Sequence, residues 1–523
     1  MALSEMIYKL RTNAHLSREK FAAVLNVSHQ AVQKWENGTS APDIKNVIRI
    51  SKYFGVSIDA LLLGSDIRLT EEMKYNKEIK PKYANIHEWE SYSKQLAVEY
   101  EQSMDEGLDI ERYRDLFEAV AKMPDGSHKD QMADVIFDLI CSAGQREEYP
   151  YVEPSELEEI WELRKSYAFD RKEPEDLKEK IHGAWLGRIC GCLLGKTVEG
   201  IRTNELHPLL KETGNFPMHR YILASEITRE IADKYNYPLL SRCYADKVEF
   251  MPYDDDTNYM VLSQELVEQY GRDFTSYDVS RTWLALQPKD AYCTAERVAF
   301  CNFVKGYEPP QSAVYKNPYR EWIGAQIRGD YFGYINPGDP ETAAEMAFRD
   351  ASISHVKNGI YGEMWAAAMI ACAAVTDNIE DIILGGLAEI PATSRLYEDI
   401  MKVLNGYRSG VSQADCFKMI HEQYDEYSAH GWCHTNSNAM IVAASLLYGE
   451  GDYGKSICMA VETGFDTDCN GATVGSVLGM RSGVSGIPQE WSAPIQDTLQ
   501  TTIFGIDKVK ISQCAEKTMK HLK

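Results

Sequence analysis

The 523 residues predict an all-α protein with a small basic helical head and a large acidic helical body. Three observations carry that expectation. Apolar residues recur at three-to-four spacing along much of the chain, and β-rich stretches are scarce. Charge divides unevenly: residues 1–64 hold eight Lys and Arg against five acids, a net of +3, leaving −27 on the rest of a chain that totals −24. Glycines stand at every fourth position, Gly183, Gly187, Gly191 and Gly195, of one long helix-like stretch, as close backbone packing of helices requires. A chain of this length exceeds one core, and the expected division is 1–65, 66–170 and 171–523.

The head reads as five short helices. Leu3 to Arg11 carries Met6, Ile7 and Leu10 on one face, and Ser17 caps Arg18 to Leu25. Asn26-Val27 is a tight turn, and Ser28 caps His29 to Glu36, which stops at Asn37-Gly38. Ala41-Pro42-Asp43 opens a fourth helix and Val56-Ser57-Ile58-Asp59 a fifth. Two short helices across a minimal turn form a helix-turn-helix. With the Ser-x-Gln-Ala-Val-x-Lys-Trp-Glu core at 28–36, then Gly38 and Pro42, residues 16–64 resemble the Cro/CI-like, or XRE, family. The resemblance implies that Ser28, His29, Gln30, Gln33 and Lys34 face the major groove of a double-stranded DNA operator, with Val32 and Trp35 in the core. It also implies a homodimer on a palindromic site. Retention of the motif for protein contacts is the alternative.

Residues 66–170 read as an acidic helical spacer or a dimerisation segment. Only Pro81 and Gly107 break 70–122, and Pro124-Asp125-Gly126 is a turn. Gln131 to Ala143 is an amphipathic helix, Tyr149 to Pro154 a linker, and Ser155 to Tyr167 another helix. No chemistry is legible there.

In the body, Lys178 to Leu194 is the glycine-faced helix, and the same small-residue habit returns in 362–375, 437–447 and 471–479. Two acidic clusters, Asp254-Asp255-Asp256-Thr257 and Asp466-Thr467-Asp468, each precede a helix-like stretch. At a helix start the first residue is still extended, so consecutive carboxylates can reach neighbouring cations. Carboxylates two apart in an extended turn can point the same way. A helix N-terminus also favours the ionised, ligating form. All-oxygen donors suit Mg²⁺, Mn²⁺ or Ca²⁺ rather than zinc. On spacing alone, an overfilled N-cap and a separate turn explain the clusters equally well. Twelve cysteines without a CxxC pair read as reduced, mostly buried thiols. No run reaches membrane-span length, and the N-terminus with Glu5 is unlike a signal peptide, so a cytoplasmic protein is expected.

Residues from about 178 to 520 resemble the ADP-ribosylglycohydrolase family, which includes the dinitrogenase-reductase-activating glycohydrolase. The matching elements are Gly191-x-x-x-Gly195 with Glu199, Tyr253 to Thr257, Ser354-His355, Gly464 to Asn470, and Ile487-Pro488-x-x-Trp491. The resemblance implies an all-α orthogonal bundle, a centre of two Mg²⁺ ions with Mn²⁺ as the alternative, and hydrolysis of an N- or O-glycosidic bond of ADP-ribose. Asp254, Asp255, Asp256, Thr257, Asp466, Asp468 and Cys469 are then the candidate ligands. Glu199 is the candidate general acid/base beside Asp255 and Asp468 as further catalytic residues. Arg328, Asp330, Asn336, His355, Asn358 and Gly359 are candidates for the substrate pocket. Bland readings stand beside two of these: a surface-loop acid for Glu199, a core residue for His355. Asp254 and Cys469 depart from the family, which places Thr or Ser there. The whole chain then reads as a DNA-binding regulator carrying a hydrolase, the alternatives being a non-catalytic ADP-ribose sensor or a nucleosidase acting on another ribosyl compound.

Overall fold

The computed structural model describes residues 2–63, 81–174 and 176–523. The chain forms two compact units, Met1–Asn85 and Ile86–Lys523. Residues 70–80 of the expected acidic helix lie outside the described residues.

The first unit holds α1 (Leu3–Asn13), α2 (Arg18–Leu25), α3 (His29–Glu36), α4 (Ile44–Phe54) and α5 (Ile58–Leu63). Both predicted caps are made, Ser17 Oγ accepting from Lys20 N at 3.2 Å and Ser28 Oγ from Ala31 N at 3.1 Å, and Asp43 Oδ1 likewise accepts from Asn46 N at 2.8 Å. Asn26 takes the left-handed conformation, φ 53°, that turns α2 into α3. Ile7, Phe21, Leu25, Val32, Trp35, Val47 and Ile50 form the core. Beside it the buried Glu36 carboxylate pairs with Arg11 of α1 and, at 2.6 Å, with Arg18 of α2. One charge thus ties three helices together.

In the second unit, Glu88–Glu90 and Tyr92–Lys94 form short 3₁₀ turns rather than the continuous helix that few Pro and Gly had predicted. There follow α6 (Leu96–Asp105), α7 (Arg114–Ala121) and α8 (Ser127–Ser142), around Leu96, Ile110, Phe117, Val120 and Ile136. The helix expected over 155–167 is confined to Leu157–Glu162. The expectation of a separate spacer does not describe 86–170, which pack into the body through buried charge. Arg320 pairs with Glu99 at 2.9 Å and Glu106 at 2.6 Å, Gln102 Nε2 donates to Glu321 at 2.6 Å, and Arg395 pairs with Glu153 at 2.9 Å. A polar seam continues through Asp105, His430 and His434, whose ligand-type atoms lie within 4.8 Å of one another. His430 Nδ1 accepts from Trp322 Nε1 and His434 Nδ1 from Asn436 N, so each neutral ring carries its proton on Nε2, facing Asp105 and Glu321 respectively. His430 Nε2 donates to Asp105 at 2.9 Å, whereas His434 Nε2 is buried 4.0 Å from Glu321 without a hydrogen-bond partner.

The body centres on α9 (Leu177–Lys196), α10 (Asp255–Tyr270), α11 (Thr294–Val304), α12 (Lys357–Ala373), α13 (Thr435–Tyr448) and α14 (Thr467–Ser482). α9 runs antiparallel to α14 along the predicted glycine face. A Cβ on Gly183 would stand 2.5 Å from the Gly479 carbonyl oxygen; on Gly187, Gly191 and Gly195 it would collide with the carbonyls of Gly475, Gly471 and Thr467. This bare seam draws the C-terminal end of α9 against the N-terminal end of α14. A feature absent from the sequence reading is an antiparallel hairpin, β1 (Thr498–Ile503) and β2 (Ile506–Lys510). Met251 bonds to it through Thr498 O at 2.8 Å and Gln500 N at 2.9 Å, which anchors the chain just before Asp254. Among the described residues no helix is long and apolar enough to cross a membrane.

Candidate functional site

Two helix starts meet at the end of the glycine seam. Asp254 is the N-cap of α10: its Oδ1 accepts from Asp256 N at 3.0 Å, while Thr257 Oγ1 donates to its carbonyl at 3.1 Å. Asp466 is the N-cap of α14, with its N–H donated to Asn438 Oδ1 at 3.2 Å and no side-chain cap. One carboxylate oxygen from each of Asp254, Asp255, Asp256 and Asp468 lies within 4.8 Å of the others. Cys469 Sγ bridges the motifs by donating to Asp256 Oδ2 at 3.2 Å, across 213 residues of chain. The two acidic motifs form one cluster, not a pair of independent turns.

Cations reach one side of it. Lys196, the last residue of α9, pairs with Asp254 Oδ2 at 2.6 Å. Arg188, one α9 residue beyond Gly187, is fully buried and joins Asp256 Oδ1 at 3.0 Å to Asp330 Oδ2 at 2.7 Å. Burial resists ionisation of Asp254, yet the Lys196 ammonium holds its carboxyl below the usual range. Elsewhere repulsion wins. Burial and the Asp254 and Asp256 charges push Asp255 well above the usual carboxylate range, and burial with Glu199 and Asp466 does so for Asp468. Burial lifts Asp466 to about 6. Glu199, three residues past Lys196, keeps a side chain 40% exposed, but loss of water and the Asp254 and Asp466 charges bring it to about 7. Crowded negative charge of this kind is relieved by a bound cation.

The donor set fits a hard cation. Asp468 Oδ1 is buried without a hydrogen-bond partner, and the neighbouring donors are carboxylates. Cys192 and Cys469 lie among them, but burial and the adjacent carboxylates raise both thiols far above their ordinary range, so they stay protonated and serve as donors. Cys469 is thereby placed as a hydrogen-bond donor to Asp256, a poor arrangement for the ligand role its position had implied.

The candidate substrate residues lie in the interior. Arg328 is enclosed by Glu296 of α11, Asp350 and Glu363; Asp330 holds Arg188; Asn336 Nδ2 donates to Phe332 O at 2.8 Å. His355 is buried with Nδ1 on Ser354 Oγ at 2.8 Å, and burial drives its pKa well down, leaving Nε2 without a partner. Asn358 Nδ2 donates to Glu153 and Glu321 at 2.8 Å each, and a Cβ on Gly359 would meet the Arg320 carbonyl at 2.7 Å. Of these, Asp330 alone connects to the acidic cluster, through Arg188. Sequence reasoning missed Arg188 and Lys196. The available signal was a charged residue one step beyond each of two seam glycines, inside a helix otherwise apolar and small.

A family model described as ADP-ribosylglycohydrolase matches residues 173–520, two-thirds of the chain. The chain belongs to the ADP-ribosylglycohydrolase family. A helix-turn-helix model matches 7–61. Curated relatives match the head: the HTH-type transcriptional activator BcrR of Enterococcus faecalis is 36% identical over 87 residues, covering 17% of this chain and 43% of its own length. The SPbeta prophage-derived uncharacterized HTH-type transcriptional regulator YonR of Bacillus subtilis (strain 168) is 36% identical over 61 residues, 12% of this chain and 56% of its own. The chain thus spans about half the length of these relatives. A solved ADP-ribosylglycohydrolase-related protein complex aligns at 16% identity and a TM-score of 0.42, over 66% of this chain and 99% of that one. This family member therefore carries a helix-turn-helix unit at its N-terminus. On that unit Ser28, His29, Gln30, Gln33 and Lys34 are all exposed, while Val32 and Trp35 of the same helix are buried.

Proposed function

We propose that the body is a metal-dependent hydrolase of the glycosidic bond in an ADP-ribosylated substrate, and that the head binds an operator, so that one chain joins the chemistry to transcription. The observation that carries this reading is the convergence of Asp254, Asp255 and Asp256 with Asp468 on one crowded cluster containing an unpartnered buried carboxylate oxygen. Asp255, Asp256, Thr257, Asp466 and Asp468 would hold Mg²⁺ or Mn²⁺, which when bound supplies Lewis-acid polarisation and positions ribose hydroxyls and water.

The chain's own residues do the rest. Glu199 is half-exposed at the cluster and brought to about 7, so near neutral pH its carboxyl can both give and take a proton at the leaving group or water. The remaining carboxylates stabilise positive charge that grows on the ribose ring as the bond to its anomeric carbon lengthens. Arg188 fixes Asp256 from the protein interior, and Asp330 fixes Arg188. On α3, Gln30 and Gln33 would read base edges, with Lys34 on guanine or phosphate; two copies match a palindromic site.

The test is release of free ADP-ribose from ADP-ribosylated arginine, serine and nucleotide substrates, read by mass spectrometry. Release that requires Mg²⁺ or Mn²⁺ and is lost in Asp255→Ala is expected. Metal-dependent ADP-ribose binding without turnover would instead make the body a sensor, a reading that the protonated Cys469 against Asp256 favours. Normal hydrolysis by Asp255→Ala would overturn the site.

A further inference from the structure

Resting on the metal reading above, we infer that this centre holds a single divalent cation, with the Lys196 ammonium on Asp254 filling the place in the charge balance that a second ion would take. Asp254 has both carboxylate oxygens occupied, Oδ1 by Asp256 N–H at 3.0 Å and Oδ2 by Lys196 at 2.6 Å. Asp256 also has both occupied, Oδ1 by Arg188 at 3.0 Å and Oδ2 by the Cys469 thiol at 3.2 Å. Asp468 Oδ1 has no partner. The open donors therefore gather on the Asp255 and Asp468 side, while the Asp254 and Asp256 side already meets positive charge.

A pair of ions about 3.5–4 Å apart needs carboxylates bridging between them and outer ligands beyond each. Asp254 and Asp256 each already face a fixed protein cation, so a second ion held by either would stand against the Lys196 or Arg188 charge. Burial strengthens the hold, since Asp254 is 3% and Asp256 0% exposed, and a desolvated ammonium–carboxylate contact is broken only at a large penalty.

The experiment titrates the chelator-stripped full-length protein with Mn²⁺, reading stoichiometry by calorimetry and the ion's surroundings by electron paramagnetic resonance. The unaltered protein is expected to bind a single ion with the hyperfine pattern of an isolated Mn²⁺. Lys196→Met, which leaves Asp254 Oδ2 unpaired, should gain a second ion and an exchange-coupled spectrum. Lys196→Arg keeps the charge and should keep the single ion. If Lys196→Met does not fold, Lys196→Gln can still hydrogen-bond Asp254 and takes its place. Two coupled ions in the unaltered protein, or a single ion in the folded charge-removed variant, overturns the inference while leaving the hydrolase reading intact. No Mn²⁺ binding at all overturns both.

Discussion

The two acidic helix starts use the same residue type and arrive at different electrostatic states. At α10 two of the three charges are met from inside the protein, Asp254 by Lys196 and Asp256 by Arg188, and Asp255 alone is not. At α14 they are not, since Asp466 caps no backbone group with its side chain and Asp468 keeps a buried oxygen without a partner. Composition and helix position therefore do not distinguish a structural carboxylate from a ligating one. What distinguishes them is the residue on the neighbouring helix, and here that helix is α9.

The largest effect that would sharpen this contrast comes from Arg188→Met. It strands two buried carboxylates, Asp256 and Asp330, and should destabilise the metal-free protein by about 3–5 kcal/mol. Asp468→Asn removes a charge that has no counter-ion and should raise the metal-free melting temperature instead. Thermal melts of both variants with chelator present decide it; equal losses would erase the difference between the motifs. Next, Gly191→Ala drives a methyl into the Gly471 carbonyl and should cost about 1–3 kcal/mol as the helices part, weakening Mn²⁺ binding because the two starts no longer meet.

The smallest effect is a pH slope. Asp466, at about 6, and Glu199, at about 7, have folded-state values above those of an unfolded chain, so the native state holds more protons. Their contribution to stability is present in full below the unfolded carboxylate range and is lost as pH rises to about 6–7. Chelator-treated protein should thus melt progressively lower over that interval, and Mn²⁺ should flatten the slope by favouring the ionised forms. A slope unchanged by Mn²⁺ would separate these groups from any cation.

Much of this was legible in the sequence because it is local. Ser17, Ser28 and Asp43 cap the helices they immediately precede, and the four-residue glycine period implied a close helix partner. The acidic motifs were recognisable, and their placement at helix starts followed from the apolar runs behind them. Pairings were not legible. Periodicity gives a face but not its partner, so Arg188 and Lys196 passed as ordinary helix residues. The 3₁₀ turns at 83–94 contain no Pro or Gly to announce them, and a short hairpin such as Thr498–Lys510 gives too little alternation to stand out. Burial was not legible either: Arg328 and Asn358 are fully buried, and interior and pocket draw on the same polar residue types.

The ion pairs that bind residues 86–170 to the body carry a practical consequence. A fragment cut at residue 173, where the match to the glycohydrolases begins, would remove Glu99, Glu106 and Glu153 and leave the guanidiniums of Arg320 and Arg395 facing an emptied surface. Inheritance and folding therefore draw their boundaries at different places in this chain. The smallest piece that should stand alone begins near Ile86, nearly ninety residues before the part that kinship alone would select.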